Sequence, residues 1–189
     1  MNSQQKNWFI GAIAVVIILA SCGWIYFTQI RDKLHNEGLH RHIGEVLAEQ
    51  AAKALGPKGK LVSIAIDTKD WPELKIQMQA FRLKLKKLGD YELREYEMDT
   101  KDQPKYGVGS GLSGRRYVRT VQKNTNAVLF VSFIGAPKLS SEEIAELGNK
   151  PKLIVESRSG DNLPSLFEHK LVLAAVVSRT NGLSRLIGS

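Results

Sequence analysis

From Trp8 to Phe27 the chain reads WFIGAIAVVIILASCGWIYF, an apolar run without a single charged residue. About 20 such residues make a helix long enough to cross the hydrocarbon core of a bilayer. Trp8 stands at one end of the run, and Trp24 and Tyr26 lie near the other, where such rings settle at head-group level. Lys6 precedes the run, and Arg31 and Lys33 follow it. The pattern predicts a short tail over 1–7 and a transmembrane anchor over 8–28. Beyond it, Ile30, Leu34, Ile43, Leu47, Ala51 and Leu55 recur at spacings compatible with one helix face. They predict a stalk helix and linker over 29–59, stopped by Gly56-Pro57-Lys58-Gly59.

From residue 60 the rhythm changes. Leu61–Ile66 is a continuous apolar run of strand length. Asp70, Pro72 and Glu73 have the spacing of a capped helix start. Leu74, Met78, Phe81, Leu85 and Leu88 then follow at 4-3-4-3 spacing, and Gly89 ends the pattern. Tyr91–Met98 is a more polar strand, suited to a sheet edge. A glycine-rich loop and a helix over Gly114–Lys123 precede the strongest strand, Ala127–Phe133. Ser140 and Glu143 signal another capping box. Lys152–Glu156, a short helix opened by Pro164, and Leu171–Val177 complete the alternation. Apolar rather than alternating strands, separated by helices, predict an α/β fold. The expected form is a doubly wound, mostly parallel five-stranded sheet in the order 2-1-3-4-5, over residues 60–179. The tail, 180–189, reads as extended or weakly ordered.

The runs KLVSIAID (60–67), FRLKLKKLG (81–89), NTNAVLFVSFIGAP (124–137) and KLVLAAVVSR (170–179) together resemble one lobe of the periplasmic sugar-binding-protein-like fold, the type 1 periplasmic binding proteins. The resemblance covers about Lys60 to Arg179. It implies a Rossmann-like lobe that contributes to binding a small, sugar-like ligand. Members of that family hold the ligand between two such lobes, and this chain has room for one.

The N-terminal segment admits a second reading. Leu19-Ala20-Ser21-Cys22 resembles the cleavage site of bacterial lipoproteins, which makes Cys22 a candidate for lipidation. Removal of the whole segment is a third reading. The apolar run continues past Cys22 to Phe27, which favours the uncleaved span. A short N-terminal tail carrying only positive charge favours an exported, periplasmic domain. The Lys/Arg count of the two flanks favours the opposite side. Cys22 is the sole cysteine, so no intramolecular disulfide forms.

The formal net charge of +8 favours anionic partners, such as phosphate head groups or a small anionic ligand. Aromatics are only 7 % of the chain and are not interleaved with a basic stripe, which disfavours nucleic acid. His35, His40 and His42 lie close together without metal-ligand spacing, and no metal or cofactor is expected. In an open α/β sheet, ligands sit beyond the carboxyl ends of the strands, where the strand order reverses. That places Asp67 and Gly135 at the crevice and Arg158 at the end of the fourth strand.

The stretch from Gly107 to Arg116 adds a second candidate. Gly111 belongs to a cluster of glycines that lets backbone approach a ligand. Ser113 is a natural N-cap, and Arg115 and Arg116 fall in the first helical turn, where cations oppose the dipole. An anion held there would reconcile them. The stretch is neither a Walker A motif nor a dinucleotide fingerprint. No G-x-S-x-G elbow is present, and His169 cannot be assigned to a triad from its spacing. The expectation is a membrane-tethered, non-enzymatic binding or scaffold domain for a sugar-like or anionic small ligand. One alternative is an accessory subunit docked on a membrane-protein partner. The other is a small enzyme that grips a phosphorylated or glycosyl substrate with the glycine-rich loop.

Overall fold

The computed structural model describes residues 3–26, 37–69, 71–98, 112–148, 151–157, 163–178 and 184–188. The chain divides into two compact units, Met1–Gly38 and Leu39–Ser189. In the first, helix α1 spans Ser3–Ile25. Its apolar side chains face outward: Trp8, Val16, Leu19 and Trp24 are all more than half exposed, and Cys22 is exposed as well. Among the described residues no helix is long and apolar enough to cross a membrane. The transmembrane helix expected over 8–28 is therefore not shown, and residues 27 and 28 of that span lie outside the described residues.

The second unit is built on a sheet. Its strands are β1 (Lys58–Ile66), β2 (Asp90–Met98), β3 (Leu129–Ser132), β4 (Lys152–Ser157), β5 (Val172–Ser178) and β6 (Ser184–Gly188). The order is β2-β1-β3-β4-β5-β6. The first five strands run parallel in the expected order, and β6 pairs antiparallel with β5 through Ala174↔Gly188 to Ser178↔Ser184. The tail expected as extended or weakly ordered thus supplies an edge strand. Leu61 to Ile66 are all buried, as are all four residues of β3. A strand covered on both faces has no reason to alternate, which is why these segments read as unbroken apolar runs.

The helices of this unit are α2 (Glu37–Leu55), α3 (Pro72–Leu88), α4 (Gly114–Lys123), α5 (Ser141–Glu146) and α6 (Leu163–Glu168). Helix α2 inserts Ile43, Leu47, Ala48 and Ala51 into the same core as the sheet, so the packed unit reaches back beyond residue 60. Each large aliphatic side chain removed from water there contributes about 1.5–3 kcal/mol. At Gly44 α2 lies directly against α3: a Cβ at this position would stand 2.1 Å from the Gln77 carbonyl oxygen. The Gln77 amide meets the His40 ring at 3.0 Å. Farther along, Lys84 Nζ lies 2.7 Å from Glu49 Oε1. The hydrogen bond to Glu49, and then its charge, hold the Lys84 ammonium above its ordinary value.

Helix α3 buries Leu74, Met78, Phe81 and Leu85 as its spacing predicts, whereas Leu88 is exposed. Phe81 meets Phe133 edge to face, with centroids 5.3 Å apart. The expected cap, Asp70, lies outside the described residues; the residue before the helix is Trp71, which makes no side-chain cap bond. Gly89 ends α3 in extended backbone, φ 171°, not in the left-handed turn expected of a C-cap glycine. Its small size is required because a Cβ would lie 2.4 Å from the Pro57 carbonyl oxygen. The capping box of α5 forms in full: Ser140 Oγ accepts from Glu143 N at 3.2 Å, and Ser140 N donates to Glu143 Oε2 at 2.9 Å.

Candidate functional site

After β1 the chain moves to one side of the sheet to form β2, and after β2 it returns to the other side to form β3. The strand order therefore reverses at the carboxyl ends of β1 and β3, where an α/β sheet leaves a crevice. Ile64 and Ser132 are level across this pair, and Phe133 N donates to Ile64 O at 3.0 Å just beyond. Asp67 and Gly135 each lie three residues past those partners, beyond the carboxyl ends of β1 and β3.

Asp67 is partly exposed at the crevice. Its Oδ1 accepts from Lys69 N at 2.9 Å, and Lys69 Nζ stands 3.6 Å from Oδ2. The first contact is an Asx-turn, which fixes the carboxylate against its own loop. Trp71 completes that loop. Its backbone N–H donates to Thr68 O at 3.2 Å, and its indole Nε1 is buried without a hydrogen-bond partner among the described residues. Gly135 is buried with φ 102°, a conformation that strains any residue with a Cβ. Ser132, itself wholly buried, donates from Oγ to the Gly135 carbonyl at 2.7 Å and so ties the turn after β3 to the strand.

The second candidate cluster lies at the start of α4. Gly111, with the glycines before it, falls outside the described residues, and so does Arg158. Ser113 precedes the helix with extended backbone but makes no side-chain cap bond; its carbonyl accepts from Arg116 N at 3.1 Å and Tyr117 N at 3.0 Å. The segment is held by the stretch after β3, with Lys138 N donating to Leu112 O at 2.9 Å and Ser113 bridging Lys138. Arg115 is exposed and Arg116 half-buried. A carboxylate already stands at this helix end: a Cβ on Gly114 would meet Glu143 Oε2 at 2.2 Å. A negative group at the start of a helix complements its dipole, and here the chain supplies one itself.

The depth of the last two residues of β4 escaped the sequence reading. Glu156 and Ser157 close β4 at 1 % and 3 % exposure. A carboxylate so deep in a sheet is held by partners, and Glu156 has them. The available signal was an acidic residue closing an apolar strand. Trp71 was missed because its position before a proline reads as a helix boundary. This edge carries a partly exposed carboxylate on Asp67, the half-buried ring of Trp71 and a glycine turn after β3.

No protein-family model matches the chain, and no curated protein matches its sequence. Solved structures do. A mutant of the XylFII–LytSN complex aligns with TM-score 0.51 and 22 % identity, over 73 % of this chain and 53 % of that one. A solute-binding protein from Burkholderia graminis in complex with D-arabinose gives TM-score 0.54 at 18 % identity, over 73 % and 47 %. AraP, an arabinose-binding protein from Geobacillus stearothermophilus, gives 0.54 at 16 % identity, over 73 % and 45 %. The chain spans about half the length of these proteins. At such identities the likeness concerns the fold, and the fold this chain shares is that of periplasmic sugar-binding proteins.

Proposed function

We propose that the chain is a non-enzymatic binding domain that takes a small sugar-like or anionic ligand at the carboxyl edge of its sheet. The observation that supports this reading is the position of Asp67 and Gly135 just past the strand ends at the β1–β3 switch point, in a fold shared with arabinose-binding proteins. Asp67 would accept from ligand hydroxyls through Oδ2, the oxygen outside its Asx-turn, which stands 3.6 Å from Lys69 Nζ. Arg115, Arg116 and Arg158 would meet an acidic group. We further propose that the apolar N-terminal segment tethers the domain to a membrane, as a span or through Cys22, with the domain on the exported side. The uncharged run from Trp8 to Phe27 and the outward apolar face of α1 support this. A second reading, docking on a membrane-protein partner, draws on one similar structure having been solved as a complex with LytSN.

The test is calorimetric titration of the full chain in neutral detergent with D-arabinose, D-xylose, D-glucose and their acidic derivatives. Saturable binding that Asp67→Asn and Trp71→Ala each weaken at least about tenfold is expected, the loss of one charged hydrogen bond. Absence of binding by every sugar at tens of millimolar would refute the ligand reading. Release of the protein from membranes by alkaline carbonate alone would refute the tether.

A further inference from the structure

The opposite edge of the sheet carries a different feature. At the amino ends of the strands, β1, β2 and the turn leaving α4 enclose a cleft of about 130 Å³. It is lined by Lys60, Leu61, Val62, Glu92 and Arg94 from the strands, and by Lys123, Asn124 and Asn126 from the turn. The pairing Lys60↔Glu92 and Val62↔Arg94 sets these positions on one face of the sheet, because side chains two apart share a face. The turn is fixed: Val128 N donates to Lys60 O at 3.1 Å, and Ala127 N to Asn124 O at 2.9 Å.

The charges in this cleft do not balance. Lys60 Nζ lies 2.7 Å from Glu92 Oε2, so that pair neutralises itself. Arg94 and Lys123 remain, from two separate elements lining the same concavity, with no ion-pair partner among the described residues. Asn124 is 8 % exposed; its Nδ2 donates to Thr120 O at 2.8 Å, while its Oδ1 has no hydrogen-bond partner among the described residues. The volume equals about four waters at roughly 30 Å³ each, room for a phosphate group and a few attached atoms. A guanidinium presents a planar fork to phosphate oxygens, and an ammonium adds a point charge. We infer that this cleft binds a phosphate group, free or as the monoester of a small molecule, through Arg94 and Lys123. It lies at the end of α4 remote from Arg115 and Arg116, and its occupant is independent of any ligand at the carboxyl edge.

The experiment is equilibrium dialysis of the full chain in neutral detergent against labelled inorganic phosphate, and separately against labelled glucose 6-phosphate, at constant ionic strength. Saturable one-to-one binding of at least one probe is expected, and the stronger probe identifies the free or esterified form. The double variant Arg94→Ala, Lys123→Ala should weaken it at least about tenfold. The variant Lys86→Ala, Lys87→Ala, which removes the same charge from the exposed side of α3, should leave it unchanged. All four substituted positions are exposed, and the melting temperature of each variant verifies its fold. Binding of neither probe, or binding that survives loss of Arg94 and Lys123, overturns the inference. Equal weakening by the Lys86, Lys87 variant overturns it too, because the attraction would then be net charge alone.

Discussion

Tyr117 should be worth more to this protein as a phenylalanine. The ring sits on α4 at 0 % exposure and meets Phe130 edge to face, with centroids 5.9 Å apart. Its hydroxyl is buried without a hydrogen-bond partner among the described residues. A polar group in that state has given up its water and gained nothing, at a cost of about 1–3 kcal/mol. Tyr117→Phe keeps the ring and its contacts and deletes one atom, so the expected gain is about 1–2 kcal/mol at neutral pH. For a unit of this size each kcal/mol corresponds to roughly 2–4 °C in melting temperature. A second signature appears in alkali. Burial pushes the phenol of Tyr117 well above its ordinary range. The unfolded chain therefore loses this proton first, near pH 10, while the folded one keeps it. The folded state then holds more protons than the unfolded, and stability falls as pH rises above 10, by up to about 1.4 kcal/mol per unit. The cost of the buried hydroxyl is constant below pH 10 and grows above it, and the phenylalanine variant lacks this slope. Urea denaturation at pH 7 and at steps from pH 9 to 11 measures both effects. A variant less stable at pH 7, or one with an unchanged alkaline slope, would show that the hydroxyl is satisfied and the reasoning wrong.

Two further substitutions probe the packing. Phe81→Ala should cost about 3–5 kcal/mol, because the ring is 1 % exposed and wedged against Phe133, whereas Lys87→Ala on the solvent side of the same helix should change the urea midpoint hardly at all. Gly44→Ala should lose about 1–3 kcal/mol despite alanine's helix propensity, since its Cβ would stand 2.1 Å from the Gln77 carbonyl oxygen and 3.0 Å from the Ala80 Cβ; a gain in the urea midpoint would mean that α2 does not pack on α3 this closely.

The parts of the fold that were legible in the sequence depend on local or near-local chemistry. The apolar runs of β1 and β3, the stripe of α3, and the Ser140–Glu143 box each declare themselves within a few residues. Their alternation was enough for the parallel order, because crossover helices leave few ways to arrange it. What escaped depends on contacts distant in sequence. Ser184–Gly188 is too short and too polar to announce a strand; it becomes one because β5 offers it a free edge. The role of Gly89 is set by Pro57, far back in the chain, and no local pattern encodes that. The candidate site divides the same way. Asp67 and Gly135 could be placed from strand ends and topology, whereas the burial of Glu156 required the finished sheet.

Glu143 shows how a charge pattern read along a chain meets its partners only in the fold. Two arginines in the first turn of α4 seemed to call for an external negative group. In the folded protein the acid that caps α5 also lies against Gly114, so one carboxylate serves the starts of two helices. The other end of α4 carries Lys123, in keeping with the negative end of the dipole. The net charge of +8 is likewise unevenly available. Lys60, Lys69, Arg82 and Lys84 are each engaged by a carboxylate, on Glu92, Asp67, Glu95 and Glu49 respectively. Such exposed pairs contribute little to stability, but they remove those cations from use by a ligand. Arg94 and Lys123 line the same cleft without an ion-pair partner among the described residues, at the edge of the sheet opposite the Asp67–Gly135 crevice.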